Sequence, residues 1–460
     1  MNMPIWPGTW VTERLGVRLA DAGGDLRVAD LAGLAVRRNP RRAHLVVSPV
    51  LGKHVPADPR TIYAAGRLLG LRAAAVLGAD VPEDLRAAAV LGADVPDDGW
   101  ETVDFQEVKL PAGPPLVVGY AETATSLGHV VADSFADADY LHSTRRPVPG
   151  VALLGRFDET HSHATEHLLL PADPAWLDRD GPLVLVDDEL TTGRTAQATI
   201  RELHAVRPRE RYVVAALLDL RTDADRAGFA ALGEQLGARI DVVSLAAGEV
   251  ELPDGVLERS RDLVASLDAP GTTGTTGAAP VTRVDADWPA GLPEGGRHGF
   301  AAAHRPVLLE VADRLAGTVA AGLPDGASVL VLGSEELMYA PLLLARALAG
   351  LRPGPVRFSS TTRSPVLPVD APGYAIRTRL TFPAHDGVDT DQARFAYNVA
   401  APGRSAGFDR IVLVVDRAGD TPALWGAGGL VAALRGVCEG VTVVVVPDLR
   451  PEQDPQEGTR

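Results

Sequence analysis

Cysteine and long apolar stretches are scarce in this sequence, and both absences narrow its class. The single cysteine, Cys438, excludes an internal disulfide bond and a zinc cluster built from cysteines. There is no charged-then-apolar leader and no apolar run of about 18 residues or more. We therefore expect a cytoplasmic protein with no membrane partner.

Basic residues are also in deficit. The chain has 44 Lys and Arg against 60 Asp and Glu, which gives a formal net charge of -16. A chain of this charge repels polyanions, so nucleic acid is not expected as a partner. A local basic pocket could still hold one small phosphate.

The bulk composition instead indicates a globular protein with two domains. A chain of 460 residues, 46% of them hydrophobic, is too long for one ordinary core. The stretch APGTTGTTGAAP (269–280) lacks a periodic apolar pattern and is typical of a flexible linker. We place the domains at residues 8–265 and 286–450, with the linker at 266–285.

Short apolar runs alternate with helical patterns on both sides of this linker, which is typical of a parallel α/β sheet. In the first domain the runs are HLVVS (44–48), PLVVGY (115–120), GVALLG (150–155), LVLVDD (183–188) and YVVAALLDL (212–220). In the second they are ASVLVLG (327–333), PVRFSS (355–360), RIVLVVD (410–416) and VTVVVVPD (441–448). The predicted fold class is therefore α/β in both domains.

One repeat is local. LRAAAVLGADVPED (71–84) is followed directly by LRAAAVLGADVPDD (85–98), which differs only in Asp97 against Glu83. A solenoid would need about three such units, so the repeat indicates a recent duplication that adds a turn or two of surface helix. We assign it no function.

A second, fainter repeat spans the whole chain. Four segments of the first domain have counterparts in the same order in the second, which indicates one ancestral fold used twice, with the second copy altered. The first-domain segments are VVGYAET (117–123), STRRPV (143–148), GRFDETHSHATEH (155–167) and LVLVDDELTTGRT (183–195). Their counterparts are LVLGSEE (330–336), TTRSPV (361–366), IRTRLTF (376–382) and IVLVVDRAGDTPA (411–423).

One motif in the first domain indicates specific chemistry. The run LVLVDD predicts a strand that ends at Asp187 and Asp188, and open α/β sheets bind ligands at the carboxyl ends of their strands. Adjacent strand residues point to opposite faces, so the two acids suit vicinal hydroxyls or metal-bound water better than paired acid and base catalysis. The residues Thr191–Thr195 then lead into a predicted helix, where small residues and hydroxyls form an anion cradle. Together these groups indicate a phosphorylated pentose.

The stretch VLVDDELTTGRTA (184–196) resembles the 5-phosphoribosyl 1-diphosphate signature of the type I phosphoribosyltransferases. The alternative is an acidic strand end that caps a helix. The resemblance implies that Asp187 and Asp188 hold the ribose hydroxyls, and that Mg²⁺ is held mainly by the substrate, with one of these acids reaching it through water. The residues implied to hold the 5′-phosphate are Thr191, Thr192, Gly193, Arg194 and Thr195.

A second anion loop is expected, because displacement of diphosphate requires that its charge be neutralised. The stretch GYAETATSLG (119–128) follows a predicted strand and precedes a helix, where this family carries its diphosphate loop. An ordinary βα turn is the alternative. HSTRRP (142–147) follows the next strand, and its arginines would reach diphosphate oxygens. The predicted diphosphate ligands are Glu122, Thr123, Thr125, Ser126, Gly128, Arg145 and Arg146.

The segment DETHSHATEH falls where the family keeps a mobile catalytic loop that closes over the substrate and excludes water. Our candidate catalytic groups are Glu159, His161 and His163, together with Arg145. A histidine here would act as acid, base or charge stabiliser. His163 and His167 have the i, i+4 spacing of a helical zinc site, but the sequence lacks the glutamate of His-Glu-x-x-His. Zinc and a solvated polar loop are the alternatives.

Further segments resemble a bacterial family of phosphoribosyltransferases with a C-terminal TRSP domain, and the resemblance runs from about residue 8 to about residue 450. Such proteins are found in tellurium-resistance and stress-response gene clusters. The resemblance implies a nucleotide-like metabolite made beside ATP-grasp and phosphatase-like enzymes. The segments are NPRRAHLVVSPVLGKHVP (39–56), HSTRRP (142–147), HSHATEH (161–167), WPAGLPEGGRHGF (288–300) and SSTTRSPV (359–366), which contains the tetrapeptide itself.

The second domain has lost the motif. Its strand IVLVVD ends at a single acid, Asp416, and Pro422 removes a backbone donor from the following loop. This copy should therefore not bind the same sugar phosphate. The residues left open between a composite or regulatory anion site and a structural role are Arg297, His298, Arg363, Arg377 and Arg379.

Two functions fit these observations. The first is Mg²⁺-dependent transfer of the 5-phosphoribosyl group from phosphoribosyl diphosphate to a nitrogenous acceptor, with inversion at the anomeric carbon, as the resemblance implies. Its acceptor pocket is the least defined part, with Asp219 and Arg221 as candidates. The second function is a non-catalytic regulator that binds phosphoribosyl diphosphate and signals its occupancy to a partner. A homodimer is the oligomer we consider.

Overall fold

Strands and helices alternate through the computed structural model, which describes residues 8–24, 26–37, 42–81, 106–148, 150–158, 166–267, 277–389, 392–401 and 407–448. We call residues 8–267 the first half and residues 277–448 the second half. The second copy of the local duplication lies outside the described residues, as do Glu159, His161 and His163. Within the described ranges, no helix has the length and apolar character that a membrane crossing requires.

The first half contains most of the strands. They are β1 (Arg18–Asp21), β2 (Gly33–Val36), β3 (His44–Val47), β4 (Leu116–Gly119), β5 (Asp139–His142), β6 (Gly155–Asp158), β7 (Glu166–Leu169), β8 (Leu183–Leu190), β9 (Arg211–Asp219) and β10 (Arg239–Glu251). Its helices are α1 (Thr9–Leu15), α2 (Val28–Leu31), α3 (Pro59–Val76), α4 (Thr125–Ala132), α5 (Arg194–Val206), α6 (Asp223–Leu236) and α7 (Val256–Ser266).

Six of these described strands form one sheet, in the order β1-β10-β9-β8-β4-β5. All neighbours run parallel except β1, which pairs antiparallel with β10 at the edge. Alternate residues of β4, β8 and β9 enter two separate apolar cores, one on each face of the sheet. Burial on both faces explains the unbroken apolar runs and confirms the predicted parallel sheet.

Two predicted strands are placed differently. HLVVS supplies β3, which pairs with β2 in a separate antiparallel hairpin. GVALLG is largely irregular, because β6 begins only at Gly155 and then pairs antiparallel with β7. Leu153 in this run is 45% exposed, so the run is not a core strand. Short apolar runs do not reveal which faces are buried, and this ambiguity caused both errors.

The second half contains a second sheet. Its strands are β11 (Val281–Asp285), β12 (Val329–Gly333), β13 (Val356–Ser360), β14 (Arg379–Pro383), β15 (Ala393–Tyr397), β16 (Arg410–Asp416) and β17 (Gly440–Val446). Its helices are α8 (His304–Ala320), α9 (Tyr339–Leu351), α10 (Pro422–Trp425) and α11 (Leu430–Arg435). Strand β11 pairs with β17, so the end of the predicted linker at 266–285 belongs to this sheet.

The strand orders of the two sheets correspond. The order β17-β16-β12-β13 repeats the order β9-β8-β4-β5, and all the second-sheet neighbours are parallel. Strand β11 takes the place beside β17 that β10 has beside β9, but it comes from the start of its half, whereas β10 comes after the other strands of the first sheet. Each half also places an antiparallel hairpin, β6–β7 or β14–β15, at the same point in its chain order. The second half is therefore a copy of the same α/β fold, as the fainter repeat predicted.

The two halves share one continuous apolar core. Helices α3 and α4 contact α9, and buried residues from both halves belong to this core. At the seam, the carboxylate of Asp133 accepts hydrogen bonds from the hydroxyls of Tyr63 (2.8 Å) and Tyr339 (2.7 Å). His129 stacks on Tyr339 with ring centres 4.1 Å apart. The halves therefore pack as one unit.

Candidate functional site

A cavity of about 540 Å³ opens at the carboxyl ends of β4 and β8, and residues of both halves line it. Its volume is usual for small-molecule sites, and open α/β sheets bind ligands at this edge. The predicted site residues that line it are Glu122, Thr123, Arg145, Asp187, Asp188, Thr191, Thr192, Gly193, Arg194 and Thr195.

The acid pair lies near the end of β8. The Oδ1 atom of Asp187 accepts a hydrogen bond from the backbone N–H of Asp188 (2.9 Å). Burial raises the pKa of the Asp188 carboxyl, and the positive charge of Lys53 opposes this rise. The cavity therefore has two adjacent carboxylates that can accept hydrogen bonds from hydroxyls.

Gly193 shapes the loop that follows. Its φ is 68°, in the left-handed region, and a Cβ there would come within 2.4 Å of Cε2 of Phe229. Only glycine fits at such a contact. Helix α5 begins at the next residue, Arg194, so the N–H groups of its first turn, which lack carbonyl partners within the helix, lie at the cavity. A helix N-terminus of this kind binds anions.

Glu122 is buried in the turn between β4 and α4. Its carboxylate lies 3.6 Å from Nζ of Lys53 and 3.4 Å from Nε of Arg363, and it accepts a hydrogen bond from the hydroxyl of Thr362 (2.9 Å). Burial alone would raise the pKa of this carboxyl, but the charges of Lys53, Arg145 and Arg363 outweigh burial and lower it. Glu122 therefore attracts and positions the cationic side chains at the cavity wall.

Three residues predicted in the diphosphate loop do not line the cavity. Thr125, Ser126 and Gly128 are buried in α4. The hydroxyl of Thr125 donates to the carbonyl of Glu122 (3.2 Å), and a Cβ at Gly128 would come within 2.6 Å of Tyr140. These residues form the turn and the contact between α4 and β5, and their assignment to diphosphate stays a prediction.

The two arginines after β5 point in different directions. Arg145 lines the cavity. Arg146 instead reaches into the second half, where its guanidinium lies 2.7 Å from Asp416 and 3.3 Å from Asp386. The Arg146 side chain is thus engaged by two carboxylates of the second half, and its assignment to diphosphate stays a prediction.

Asp219 and Arg221 also lie outside the lining of the cavity. The guanidinium of Arg221 donates to both carboxylate oxygens of Asp219, at 2.9 Å each. It also lies over the ring of Phe229, at 4.7 Å, beneath the Gly193 loop. The pair therefore supports the phosphate loop, and its assignment to the acceptor pocket stays a prediction.

The hairpin β6–β7 flanks the segment predicted to be catalytic. His167, on β7, lines the cavity, and its Nδ1 lies 2.9 Å from Oγ of Ser143. In the part of the chain that the structure describes, no cluster of three or more His, Cys, Asp or Glu side chains is suited to a metal ion.

One wall of the cavity was not assigned from the sequence. We call Arg42, Leu45, Val46 and Glu189 the hood wall; the first three come from the β2–β3 hairpin and its connection, and Glu189 from β8. Oε1 of Glu189 lies 3.5 Å from Nη2 of Arg42, and burial raises the pKa of Glu189 to about 7. The segment 39–56 was noted for its resemblance, but nothing in it showed that it folds over β8.

Two family models match the chain. Residues 31–249 match the family described as phosphoribosyl transferase, and residues 294–434 match the TRSP domain that lies C-terminal to this transferase. The chain thus contains both domains of this family, in the family's order. We therefore call its halves the transferase half and the TRSP half.

No curated protein matches the chain. A matching solved structure is adenine phosphoribosyl transferase from Trypanosoma brucei in complex with AMP, pyrophosphate and ribose-5-phosphate. The identity is 17%, the match covers 30% of this chain and 58% of that chain, and the TM-score is 0.22. The chain thus spans less than two thirds of that protein's length.

The transferase half and the TRSP half exchange equivalent contacts. The hydroxyl of Thr362 donates to Glu122 (2.9 Å), and the hydroxyl of Thr144 donates to Glu336 (2.7 Å). The backbone N–H of the residue after each threonine contacts the same carboxylate, at 3.4 and 2.8 Å. Each half therefore binds the glutamate of the other through a threonine that follows its own second parallel strand. Thr362, the first residue of the TRSP tetrapeptide, makes one of these two contacts.

Arg363, the second residue of the tetrapeptide, lines the transferase cavity. Its Nε lies 2.5 Å from Glu335 of its own half and 3.4 Å from Glu122 of the other. The cavity is thus composite, with one wall from the TRSP half. The other residues left open make separate contacts: His298 with the carbonyl of Leu170, Arg377 with Asp370, Arg379 with the ring of Phe395, and Arg297 with Glu294 and Glu336.

Ion pairs fill the corresponding position in the TRSP half. Asp416, at the end of β16, lies 2.7 Å from Arg146 and 3.7 Å from Arg297. Burial alone would raise the pKa of Asp416, but the two arginines lower it. Helix α10 begins at Pro422. The carboxylate that would meet a ribose is therefore engaged within the protein, which supports the prediction that this copy does not bind the sugar phosphate.

Proposed function

We propose that the chain transfers the 5-phosphoribosyl group from phosphoribosyl diphosphate to a nitrogenous acceptor and releases diphosphate. One observation carries the proposal: a single cavity is lined by Asp187 and Asp188, by the α5 N-terminus behind Gly193, and by the cation-rich turn at Glu122. The family match supports phosphoribosyl transfer in general.

The subsites follow from the chemistry of each wall. Asp187 and Asp188 accept hydrogen bonds from the ribose 2′ and 3′ hydroxyls, and the residues Thr191–Thr195 hold the 5′-phosphate with hydroxyls and backbone N–H groups. Thr123 and Arg145 face the diphosphate. Glu122 carries the same sign of charge as diphosphate, so we give it the role of holding the cations in place.

The cavity also fits Mg²⁺. Its two adjacent carboxylates, Asp187 and Asp188, are oxygen donors, and Mg²⁺ is usually held by one or two carboxylates together with substrate phosphates. One of these acids would contact the ion through water. When bound, the ion would neutralise charge on the departing diphosphate.

The chain's own groups act on a transition state with oxocarbenium character at the anomeric carbon. The β8 carboxylates orient the ribose, so that the acceptor nitrogen attacks opposite the leaving group and inverts the centre. His167 lies on the cavity wall. Glu159, His161 and His163, which lie between β6 and β7 in the sequence and outside the described residues, are proposed as acid, base or charge-stabilising groups.

The hood wall is the proposed acceptor side. Arg42 offers N–H donors and Glu189 offers oxygen acceptors at 3.5 Å from each other, and Leu45 and Val46 add apolar surface. Such a wall suits a flat nitrogen heterocycle with donors and acceptors on one edge. We propose this wall ahead of Asp219 and Arg221, because it lines the cavity and they do not.

The wider setting rests on the family resemblance. We propose a cytoplasmic enzyme that makes a nucleotide-like metabolite beside ATP-grasp and phosphatase-like enzymes, in a tellurium-resistance or stress-response cluster.

The test compares the wild-type protein with the double variant Asp187→Asn, Asp188→Asn. Calorimetry should show binding of phosphoribosyl diphosphate with Mg²⁺ to the wild type, and a loss of about 100-fold or more in the variant, because two charge-assisted hydrogen bonds are removed. Asp254→Asn, an exposed acid away from the cavity, is the matched control and should bind normally. Equal binding by the double variant would place the substrate elsewhere.

Catalysis is tested separately, by diphosphate release with a panel of nitrogen heterocycles as acceptors. Release with at least one acceptor supports the enzyme. Tight binding without release under every acceptor would favour a phosphoribosyl-diphosphate-dependent regulator, in which the composite wall from the TRSP half would report occupancy.

A further inference from the structure

Lysine is nearly absent from this chain. Of its 44 basic residues, Lys53 and Lys109 are the only lysines, and arginine supplies all the others. The Lys109 side chain is 82% exposed, at the surface, whereas Lys53 is buried at the wall of the cavity. A chain that uses arginine almost everywhere thus has a lysine at a position inside its candidate site.

Lys53 borders the cavity that holds both subsites of the proposed function. Its Nζ donates a hydrogen bond to the hydroxyl of Thr123 (3.0 Å) and lies 3.6 Å from the carboxylate of Glu122, both in the diphosphate turn. Asp187 and Asp188 line the same cavity. The bond that breaks in the reaction joins the groups held by the diphosphate turn and by this acid pair.

The segment that carries Lys53 is held by the TRSP half. The carbonyl of Lys53 accepts a hydrogen bond from the hydroxyl of Ser359 (3.1 Å), in β13. Ala57 and Phe358 exchange backbone hydrogen bonds at 3.0 and 2.8 Å. At Gly52, whose φ is 69°, a Cβ would come within 2.6 Å of the Phe358 ring. The backbone before and after Lys53 is therefore fixed against β13.

We infer that Lys53 neutralises the departing diphosphate, and that the TRSP half acts as the scaffold that positions this lysine. The inference rests on the proposed function. In the step, the acceptor nitrogen's lone pair forms the C–N bond at the anomeric carbon, while the C–O bond to diphosphate breaks and its electron pair stays on the diphosphate oxygen. The proton of the acceptor nitrogen passes to solvent, and Lys53 remains protonated throughout. Its charge stabilises the oxygen on which negative charge develops.

The identity of the residue supports this role. A lysine ammonium is a compact charge with three donors that can follow a leaving group, whereas an arginine guanidinium is a rigid, planar fork. Lys53 contacts Thr123 and Glu122 through this compact ammonium group.

The test measures the subsites separately, with ribose 5-phosphate and inorganic diphosphate as probes for calorimetry. Lys53→Met removes the charge and keeps most of the length. We expect a loss of about 10- to 100-fold in affinity for diphosphate, with ribose 5-phosphate affinity unchanged within about twofold. Lys109→Met removes the other lysine and should change neither affinity. Lys53→Arg keeps the charge and should recover only part of the diphosphate affinity.

Ser359→Ala tests the scaffold. It removes the hydrogen bond to the carbonyl of Lys53, so diphosphate affinity should fall by about 2- to 10-fold while ribose 5-phosphate affinity is kept. Wild-type diphosphate affinity in Lys53→Met overturns the inference, as does an equal loss of both probes. Wild-type affinity in Ser359→Ala overturns the scaffold role. If the wild-type protein binds ribose 5-phosphate no better than the Asp187→Asn, Asp188→Asn variant, the proposed function itself fails, which is a different result from either of these.

Discussion

At the scale of single residues, two glutamates occupy equivalent turns but have different surroundings. Glu122 lies at the cavity, among Lys53, Arg145 and Arg363. Glu336 lies in the TRSP half, where burial would raise its pKa but Arg297, His142 and Arg146 hold it well below its ordinary value. Both accept a threonine hydroxyl from the opposite half. The threonine contact is the same for Glu122 and Glu336. Any difference in function between these glutamates must therefore come from their other neighbours.

This equivalence supplies a matched pair of variants. Thr362→Val removes the hydrogen bond to Glu122, and Thr144→Val removes the one to Glu336. Each variant should lower the free energy of unfolding by about 1 to 3 kcal/mol, because a buried carboxylate loses a donor. Affinity for phosphoribosyl diphosphate should fall roughly fivefold or more in Thr362→Val only, since about 1 kcal/mol corresponds to fivefold. Urea denaturation and calorimetry measure the two effects, and an equal loss of affinity in Thr144→Val would contradict the assignment.

At the scale of elements, the sequence indicated some structures reliably because their chemistry is local. The strand that carries Asp187 and Asp188, and the loop that leads into α5, follow from an apolar run, two acids and small residues within one short stretch. The strand continues past the acids to Leu190, beyond its predicted end. The repeated strand order was predicted because four segments recur in the same order. Neither inference needed knowledge of distant contacts.

Other elements depend on contacts between segments far apart in the chain. Arg145 and Arg146 are adjacent and identical in the sequence, and only the distance to Asp416 shows that Arg146 contacts the second half. Lys53 gave no local signal, because its significance comes from Thr123 and from Ser359. Asp219 and Arg221 bind each other, which a strand end does not reveal. Side-chain direction and tertiary partners were therefore the unpredictable part of the site.

The loop before α5 makes a prediction at the element scale. Gly193→Ala should weaken ribose 5-phosphate binding by about 10-fold or more, because the new methyl group meets Phe229 at 2.4 Å and shifts the helix N-terminus. Gly237→Ala is the control: Gly237 ends α6 with φ 62°, and no atom lies within 4 Å of its Cβ position. It carries only the backbone penalty of about 1 to 2 kcal/mol and should bind normally. Thermal unfolding separates stability from affinity, and unchanged binding in Gly193→Ala would remove the phosphate loop from the site.

At the scale of the whole molecule, the halves are joined by backbone as well as by side chains. The N–H of His142, at the end of β5, donates to the carbonyl of Gly296 (2.9 Å), and Tyr140 and Phe300 exchange backbone hydrogen bonds nearby. The TRSP half thus covers the outer edge of the transferase sheet. His142 is buried in this seam, so its protonation is coupled to the folding of both halves.

This burial predicts how stability responds to acid. Burial lowers the pKa of His142 to about 4; Glu336 and the carbonyl of Ser143 oppose the shift, and Arg297 and His298 add to it. Above about pH 6.5, both folded and unfolded His142 are neutral, and its contribution to stability is fully present. As the pH falls from about 6.5 to about 4, His142 binds a proton in the unfolded chain but not in the folded chain. The free energy of unfolding therefore falls by up to about 3 kcal/mol.

The measurement compares the wild type with His142→Asn, which cannot titrate in this range. Burial raises the pKa of Glu189 and of Glu294 to about 7, and these carboxyls act in the opposite sense; they are present in both proteins, so their effect cancels in the difference. The experiment is urea denaturation at several pH values between about 7.5 and 4.5. As the pH falls, the free energy of unfolding of the variant should rise relative to that of the wild type, by up to about 3 kcal/mol. Any cavity that the substitution leaves changes the free energy of unfolding of the variant by the same amount at every pH. A constant difference across the range would therefore show that His142 takes up its proton in the folded protein as easily as in the unfolded chain, and that the seam does not bury it.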